Sequence, residues 1–495
     1  MTVLLCILAV FIIFIGIILI RTFSFKPKAQ AAASEEEIKV DSDKTVKNLC
    51  ELVKCKTVSY RDRSLEDEKE FRKLVSMLPA LYPNVFKVCD FKEITDRALL
   101  FKWEGRSHER AAVMMAHYDV VPVDEDGWDK PAFDAIIEEG VIWGRGTLDT
   151  KVTMNAILCA ADSLIEKGFV PKEDVYFAFS GGEEINADGA EKIVDYFEKN
   201  NINLSFVVDE GGAVVENVFP GVKSACGLIG IAEKGMMNVE FKVLSNGGHA
   251  SAPKPNSPLV SLAKICTEIE DKPFKYHITA PVAKMFDTLG RHSSFVYRMI
   301  FANLWLFAPI LNIICKKSGG ELNALMRTTV AFTQAQGSSA SNVIPPVATL
   351  TANIRLNPED NIESALEKLK SDVKSKLQKP VTVNYNDTVD CSDSIKLTLI
   401  NGMNPSRISE TECPEYDKVA LAVSSTWKGC IVSPYLMVQC SDSRHYGRVR
   451  DRVYRFSAMD LTSEERTTIH GNNERIRIEC ANKAVEFYLR LLSSC

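Results

Sequence analysis

The sequence predicts an α/β protein, a largely parallel sheet sandwiched by helices, with a ferredoxin-like β-α-β-β-α-β domain inserted into it. Three observations carry that expectation. Short apolar runs near 112–116, 175–179 and 205–208 alternate with helix-length stretches, as in a sheet covered on both faces. The middle of the chain then changes to half-buried strands that alternate apolar and polar residues. Finally, 495 residues exceed what a single ordinary core holds together.

Taken in order, Thr2 to Ile20 carries no charge and consists mostly of Leu, Ile, Val and Phe. As a helix this stretch reaches about 28 Å, against a hydrocarbon layer of about 30 Å. It exceeds the apolar core of a signal peptide, and no basic leader precedes it. The reading is a membrane anchor, followed by a polar tether to residue 43. Arg21, Lys26 and Lys28 after the span favour a cytoplasmic flank. Asn203-Leu204-Ser205 and Asn386-Asp387-Thr388 would suit an extracytoplasmic domain in a source that glycosylates. The side on which the main domain lies stays open.

Residues 44–231 form the first part of the catalytic domain, with a helix over 152–167 stopped by Gly168. The inserted lid is expected over 232–392. Its strands are read at 236–244, 328–335, 348–356 and 381–385, and its helices at 257–269 and 362–377. Within it, 299–315 is an apolar run broken by Asn303, Pro309 and Asn312. That is short for a span, so it reads as a buried or interfacial helical hairpin, or as an apolar lip admitting greasy substrates. Residues 393–495 return to the catalytic domain and end in a helix over 473–492.

Composition narrows the function. The chain is 46% hydrophobic and 25% charged, with a net charge of −6 and no basic stripe, which argues against a nucleic-acid partner. Fourteen cysteines are scattered without a C-x-x-C pair, so neither a thiolate zinc site nor a disulfide framework is expected.

The chemistry sits where apolar runs end. His117 closes Val113-Met114-Met115-Ala116-His117-Tyr118-Asp119, Asp149 closes Gly144-Arg145-Gly146-Thr147-Leu148-Asp149, Glu183-Glu184 follow 176–179, and Asp209 follows Phe206-Val207-Val208. His470 lies far downstream. Singly, each has a plainer reading: an Asp at a strand end caps a helix, and adjacent acids solvate a helix start. Together they meet the needs of two divalent cations about 3.5–4 Å apart, several carboxylates with one bridging and imidazoles completing the shells. Glu183 would be the spare acid. Such a donor set suits zinc, and cobalt or manganese as well.

With these strings assembled, the chain resembles the aminoacylase and carboxypeptidase S family of co-catalytic dinuclear zinc metallopeptidases. The strings are Ala116-His117-Tyr118-Asp119-Val120-Val121-Pro122-Val123, Trp128 with Pro131-Ala132-Phe133, Gly144 to Lys151, Gly182-Glu183-Glu184, Asp209-Glu210-Gly211-Gly212, Gly247-Gly248-His249-Ala250-Ser251 and His470-Gly471. The resemblance spans roughly 50–490 and is nearest the carboxypeptidase S and N-fatty-acyl-amino-acid hydrolase branch. It implies a zinc-peptidase-like catalytic domain in which His117 and Asp209 hold one zinc, Glu184 and His470 the other, and Asp149 bridges them. It also implies that Asp119 orients His117, that Glu183 is the general base, and that His249 stabilises the oxyanion, often across a dimer of lid domains. Asn342, Arg355 and Arg444 match positions that contact substrate. Two departures bear on substrate choice: Cys440 stands where relatives often have Gly, and Thr150 where the branch often has Asp. The implied activity is cleavage of short peptides with a free C-terminal carboxylate. N-acyl, including N-fatty-acyl, amino acid deacylation is the alternative, and a non-catalytic binding protein on the same fold the remote one.

Overall fold

The computed structural model describes residues 2–30, 33–384 and 395–495. Its largest sheet has eight strands, in the spatial order Asp90–Thr95, Ala98–Trp103, Glu173–Ser180, Ser107–His117, Leu204–Val215, Val453–Leu461, Cys226–Glu233 and Ile431–Met437. The central strands run parallel, from Glu173–Ser180 through Ser107–His117 and Leu204–Val215 to Val453–Leu461. An antiparallel hairpin closes one edge. Glu173–Ser180 is buried along its whole length, as a strand covered on both faces must be. The helix Lys151–Glu166 buries thirteen of its sixteen residues, and its inward polar groups are partnered. Asn155 accepts from the Tyr82 hydroxyl at 2.7 Å, and Asp162 accepts from the amides of Asn84 and Val85.

The lid sheet has five strands, in the order Thr329–Gln336, Val347–Leu356, Gly235–Leu244, Ile395–Met403 and Val381–Asn384. Helices Pro258–Asp271 and Ile362–Leu377 cover it, and Phe241, Ile265, Leu350, Leu366 and Leu397 form its core. The boundary expected at 392 is therefore displaced. Ile395–Met403 pairs antiparallel with Gly235–Leu244 and parallel with Val381–Asn384, carrying the lid sheet to 403. Ile395 and Leu397 point inward between outward Lys396 and Thr398, an alternation that fits this strand to a half-buried sheet. The strand expected over 381–385 becomes the edge; Tyr385 and the triplet Asn386-Asp387-Thr388 lie outside the described residues.

The interval 232–392 is also not one body. Helices Ala280–His292, Phe295–Ala302, Leu304–Ser318 and Gly320–Met326 leave the lid, and Val282, Met285, Phe286, Leu289 and Phe301 join the catalytic core. The apolar run 299–315 is a helix pair bent by 111° at Asn303. The closing helix begins at Ile478, later than expected, because Arg475–Arg477 pairs with Val141–Trp143. One helix, Thr2–Ser24, is long and apolar enough to cross a membrane; its mean hydropathy is 3.6 and only Ile18 and Thr22 are buried.

One buried ion pair ties the two halves of the catalytic domain together. Arg145 Nη1 lies 2.7 Å from Glu474 Oε2, and both side chains are almost fully enclosed. Glu474 Oε1 accepts the amides of Gly146, Leu148 and Asp149 at 3.0, 2.7 and 3.2 Å. Gly146 makes the turn with φ +88, a left-handed conformation that glycine adopts freely. Removing one charge from a buried pair costs about 3–5 kcal/mol. Glu474→Gln is expected to lower the unfolding free energy by that amount, read as a drop in the urea midpoint; an unchanged midpoint would show the pair to be dispensable.

Candidate metal centre

The acidic and imidazole groups converge at the C-terminal ends of the parallel strands, where open α/β sheets gather ligands. His117 is the last residue of Ser107–His117 and sits in register with Ser180. Glu183 and Glu184 occupy the turn after the Ser180 strand. Asp149 ends the loop anchored by Glu474 and precedes the helix Lys151–Glu166. His470 follows the helix Ser463–Thr468 with a left-handed φ of +59, strained for a residue with a side chain. Gly212 allows its strand to approach its neighbour; a Cβ there would stand 1.8 Å from the Leu228 carbonyl oxygen.

Asp149 is the centre of the arrangement. Its Oδ1 lies 3.0 Å from His117 Nε2, and its Oδ2 lies 3.0 Å from His470 Nε2. Glu184 Oε1 is 3.1 Å from His470 Nε2, and Glu210 Oε1 is 3.5 Å from His117 Nε2. Tetrahedral ligands at about 2.1 Å from an ion stand about 3.4 Å from each other, so these separations fit cation-binding sets. His117, Asp149 and Glu184 offer ligand atoms all within 4.8 Å of one another, and so do His117, Glu183 and Glu210.

Asp119 holds the arrangement from below. Its Oδ1 accepts the Glu183 amide at 3.1 Å, and its Oδ2 accepts the Glu184 amide at 3.2 Å and the Ser59 hydroxyl at 2.7 Å. His117 Nδ1 lies 3.0 Å from the Asp119 backbone carbonyl and 3.4 Å from its carboxylate. The carbonyl is therefore the nearer acceptor for the imidazole proton, which leaves Nε2 free to ligate. The Asp119 carboxylate chiefly positions the Glu183-Glu184 turn.

The electrostatics are those of crowded acids. Burial, reinforced by Glu210, Asp442 and Glu184, pushes Glu183 well above the usual carboxylate range. Burial likewise raises Glu184, and lifts Glu210 to about 8, although the His117 charge opposes the latter. Asp149 is held well below the ordinary range: burial opposes its charge, but hydrogen bonds from His117 and His470 outweigh it. Hydrogen bonds to Asp149 and Glu184 raise His470 to about 10. Four carboxylates against two imidazoles leave a surplus of negative charge that divalent cations would neutralise.

The structure departs from the sequence reading at Asp209. Neighbouring residues of a strand face opposite sides, and here the outward position belongs to Glu210. The Asp209 carboxylate instead accepts the Ser443 amide at 2.9 Å, and burial followed by the charge of Asp442 raises its pKa to about 6. The sequence signal for Glu210 was its place beside Asp209, but only the pleat decides which of the two faces the crevice. Of the other expected residues, His249 is exposed on a small two-stranded antiparallel ladder of Gly248–His249 with Val343–Ile344, its Nδ1 2.7 Å from the Ser251 hydroxyl. The Asn342 carbonyl, beside the same ladder, accepts the Ala250 amide. Arg355 reaches from the lid to 3.5 Å from Cys440 Sγ, and Cys440 lines the cleft. Arg444 donates to the Ser441 carbonyl at 2.7 Å and to Asn186 at 3.1 Å. The cleft encloses about 740 Å³, with Asp149, Glu183, Glu184, Glu210 and His470 along one side.

These placements fix two expectations. Glu210→Ala should halve the number of divalent ions bound per chain, counted by mass spectrometry of the digested protein, whereas Asp209→Asn should leave it unchanged. The reverse result would restore Asp209 as the ligand. Second, ligation needs deprotonated groups, and near pH 7 Glu210 (about 8) and His470 (about 10) hold protons in the metal-free protein. Calorimetry should show proton release on metal binding, with apparent affinity rising between pH 6 and 8; a flat affinity would contradict the acid crowding.

The sequence profile described as peptidase family M20/M25/M40 matches residues 113–494. The carboxypeptidase S-like 2 protein of Dictyostelium discoideum is 31% identical over 489 residues, covering 96% of this chain and 90% of that protein. The N-fatty-acyl-amino acid synthase/hydrolase PM20D1 of Xenopus tropicalis is 30% identical over 494 residues, covering 98% and 93%. Among solved structures, an M20 family metallo-carboxypeptidase from Sulfolobus solfataricus superposes with a TM-score of 0.63 at 19% identity, covering 91% of this chain and 98% of that one, a likeness of fold. The crevice built on strand ends and these matches agree, and the chain belongs to peptidase family M20/M25/M40, in its carboxypeptidase S and N-fatty-acyl-amino-acid hydrolase branch.

Proposed function

We propose that this protein hydrolyses an amide bond next to a free carboxylate, using two divalent cations held by His117, Asp149, Glu184, Glu210 and His470. The observation that carries the reading is Asp149 set between two imidazole Nε2 atoms at 3.0 Å each, with Glu183 beside them. Bound there, two divalent cations supply the Lewis acidity that activates water and polarises the amide carbonyl. The mixed imidazole and carboxylate donors suit zinc first, with cobalt or manganese as substitutes.

The chain's own residues supply the rest. Glu183 is enclosed and its pKa is raised, which makes its carboxylate a stronger base; in that ionised form it takes a proton from water and delivers it to the leaving amine. Asp119 keeps Glu183 in place through its backbone amide. Arg355 and Arg444 both bring positive charge to Cys440 in the cleft wall, a setting for the substrate carboxylate. Asn342 and His249 stand together at this exposed lid ladder, and His249 reaches a scissile carbonyl from a second copy joined through the lids. Thr2–Ser24 anchors the enzyme in a membrane.

A short peptide with a free C-terminus is the first substrate reading. One observation favours an N-acyl amino acid: the cleft also presents apolar side chains, Leu228, Met437, Val438, Met459 and Ile469. General acid–base help contributes about 10²–10⁴-fold. Glu183→Gln should therefore keep its full metal content and lose about that factor in kcat on peptide and N-acyl substrates alike. Full turnover by this variant would remove Glu183 from the role.

A further inference from the structure

The N-terminal helix and the bent pair Phe295–Ser318 are packed together, and the contacts fix their relative depth. Phe23 meets Phe295 with ring centroids 5.6 Å apart, and Phe14 meets Trp305 edge-on at 5.9 Å. Arg21 Nε donates to the Ala302 carbonyl at 3.2 Å, and the Asn303 amide at the bend donates to the Ile18 carbonyl at 3.3 Å. Arg21 is the first charge after the apolar stretch, so it marks the bilayer surface if Thr2–Ser24 spans. Phe14 lies seven residues earlier, about 10 Å deeper at 1.5 Å per residue. Trp305 is carried to that depth with it. The helix Leu304–Ser318 turns apolar side chains outward, with Trp305 55%, Ile310 52%, Ile313 60% and Ile314 54% exposed, and ends in Lys316 and Lys317. That surface continues the apolar exterior of Thr2–Ser24, whose outward Leu, Ile, Val and Phe side chains are exposed along its length.

Beside this pair lies a cavity of about 580 Å³, lined by Val218, Phe219, Met285, Leu289, Tyr297 and Leu322 among others. Tyr297 belongs to the first helix of the pair, and Leu322 to the helix that follows the second. The cavity shares Leu228, Glu321 and Tyr435 with the metal cleft. The Tyr435 hydroxyl donates to Glu321 at 3.1 Å across the shared wall. The metal cleft and the cavity beside the helix pair thus meet at one shared wall, Leu228, Glu321 and Tyr435.

We infer that the bent pair is a re-entrant membrane element, and that the cavity beside it receives the long aliphatic acyl chain of an N-acyl amino acid arriving from the bilayer. The head group lies at the carboxylates, and the chain passes Leu228 and Tyr435 toward Tyr297. This rests on the hydrolase reading above and assigns its acyl group.

The test uses the full chain in phosphatidylcholine vesicles. Lipid brominated midway along its acyl chains should quench a share of the tryptophan fluorescence that disappears in Trp305→Phe; equal quenching in both would place Trp305 in water and overturn the inference. In the same vesicles, kcat/KM for N-dodecanoyl-glycine should exceed that for N-acetyl-glycine by about tenfold or more, given the gain from burying each methylene. Val218→Trp and Leu322→Trp, two half-buried positions that tolerate bulk, should cut that ratio at least about fivefold. Hydrolysis of both substrates with a ratio untouched by either variant would overturn the acyl assignment and leave the hydrolase reading standing. Hydrolysis of neither would sink the hydrolase reading. Retention of N-dodecanoyl-glycine by the metal-free protein, lost in Val218→Trp, would then still support the cavity, and no such retention would overturn it.

Discussion

Everything at the site depends on one carboxylate held between two imidazoles that come from opposite ends of the sequence. Asp149 can face His117 and His470 together only because its loop is pinned by three amides on Glu474, four residues beyond His470. The same Glu474 pairs with Arg145, whose other nitrogen donates to the Gly471 carbonyl at 2.8 Å. The Asp149 loop and the distant histidine are thus parts of one hydrogen-bonded unit. Asp119 does the same for the other side, gripping two consecutive amides beneath Glu183 and Glu184. Preorganisation here is backbone capture by buried anions, which fixes ligand positions before any cation binds.

The crevice has two kinds of lining. Carboxylates and imidazoles occupy the strand ends, and Leu228, Met437 and Met459 add apolar surface to the same cleft. A polar head and an apolar group on either side of one amide bond would each meet a matching surface. Cys440 adds to this division: burial pushes its thiol up to about 11, so it stays neutral between the acidic site and Arg355. This neutral side chain takes up space without adding charge.

Much of this was legible in the sequence because strand-end acids leave a strong imprint: an apolar run, then Asp, Glu or His, then glycine. His117, Asp149, Glu183, Glu184 and His470 all converge as that pattern suggests. The choice between Asp209 and Glu210 was not legible, since it depends on the phase of the pleat and a shift of one residue exchanges the faces. The strand Ile395–Met403 carried an alternating signal, but a strand pairing with a partner about 150 residues earlier is a non-local event that periodicity does not assign. The excursion over 280–326 escaped for a similar reason. Its helices are amphipathic whichever domain they pack on, and only the contacts of Met285, Phe286 and Leu289 attach them to the catalytic core. Glu474 looked like an ordinary acid near a helix start; its value lies in three amides from another part of the chain.

That excursion also determines how the lid is mounted. Four segments cross between lid and catalytic body, near 233–235, 274–277, 326–328 and 403–406, and all four are bonded to one another. The His277 amide donates to the Met326 carbonyl at 2.7 Å, joining the second and third. The Ser406 amide donates to the Glu233 carbonyl at 3.2 Å, and the Glu233 amide returns a bond to the Ser406 hydroxyl at 2.8 Å, joining the first and fourth. Lys234 links the two pairs by donating to the Ala324 and Arg327 carbonyls at 2.8 Å each. Burial, followed by the nearby charge of Arg355, pushes this lysine down to about 7. Glu233, beside it, is paired with buried Arg455 of the central sheet. These bonds gather the four crossings into one bundle. The helices that follow 274–277 and precede 326–328 also line the cavity of about 580 Å³, through Met285, Leu289 and Leu322, so the mounting of the lid and the wall of that cavity are built from the same segments.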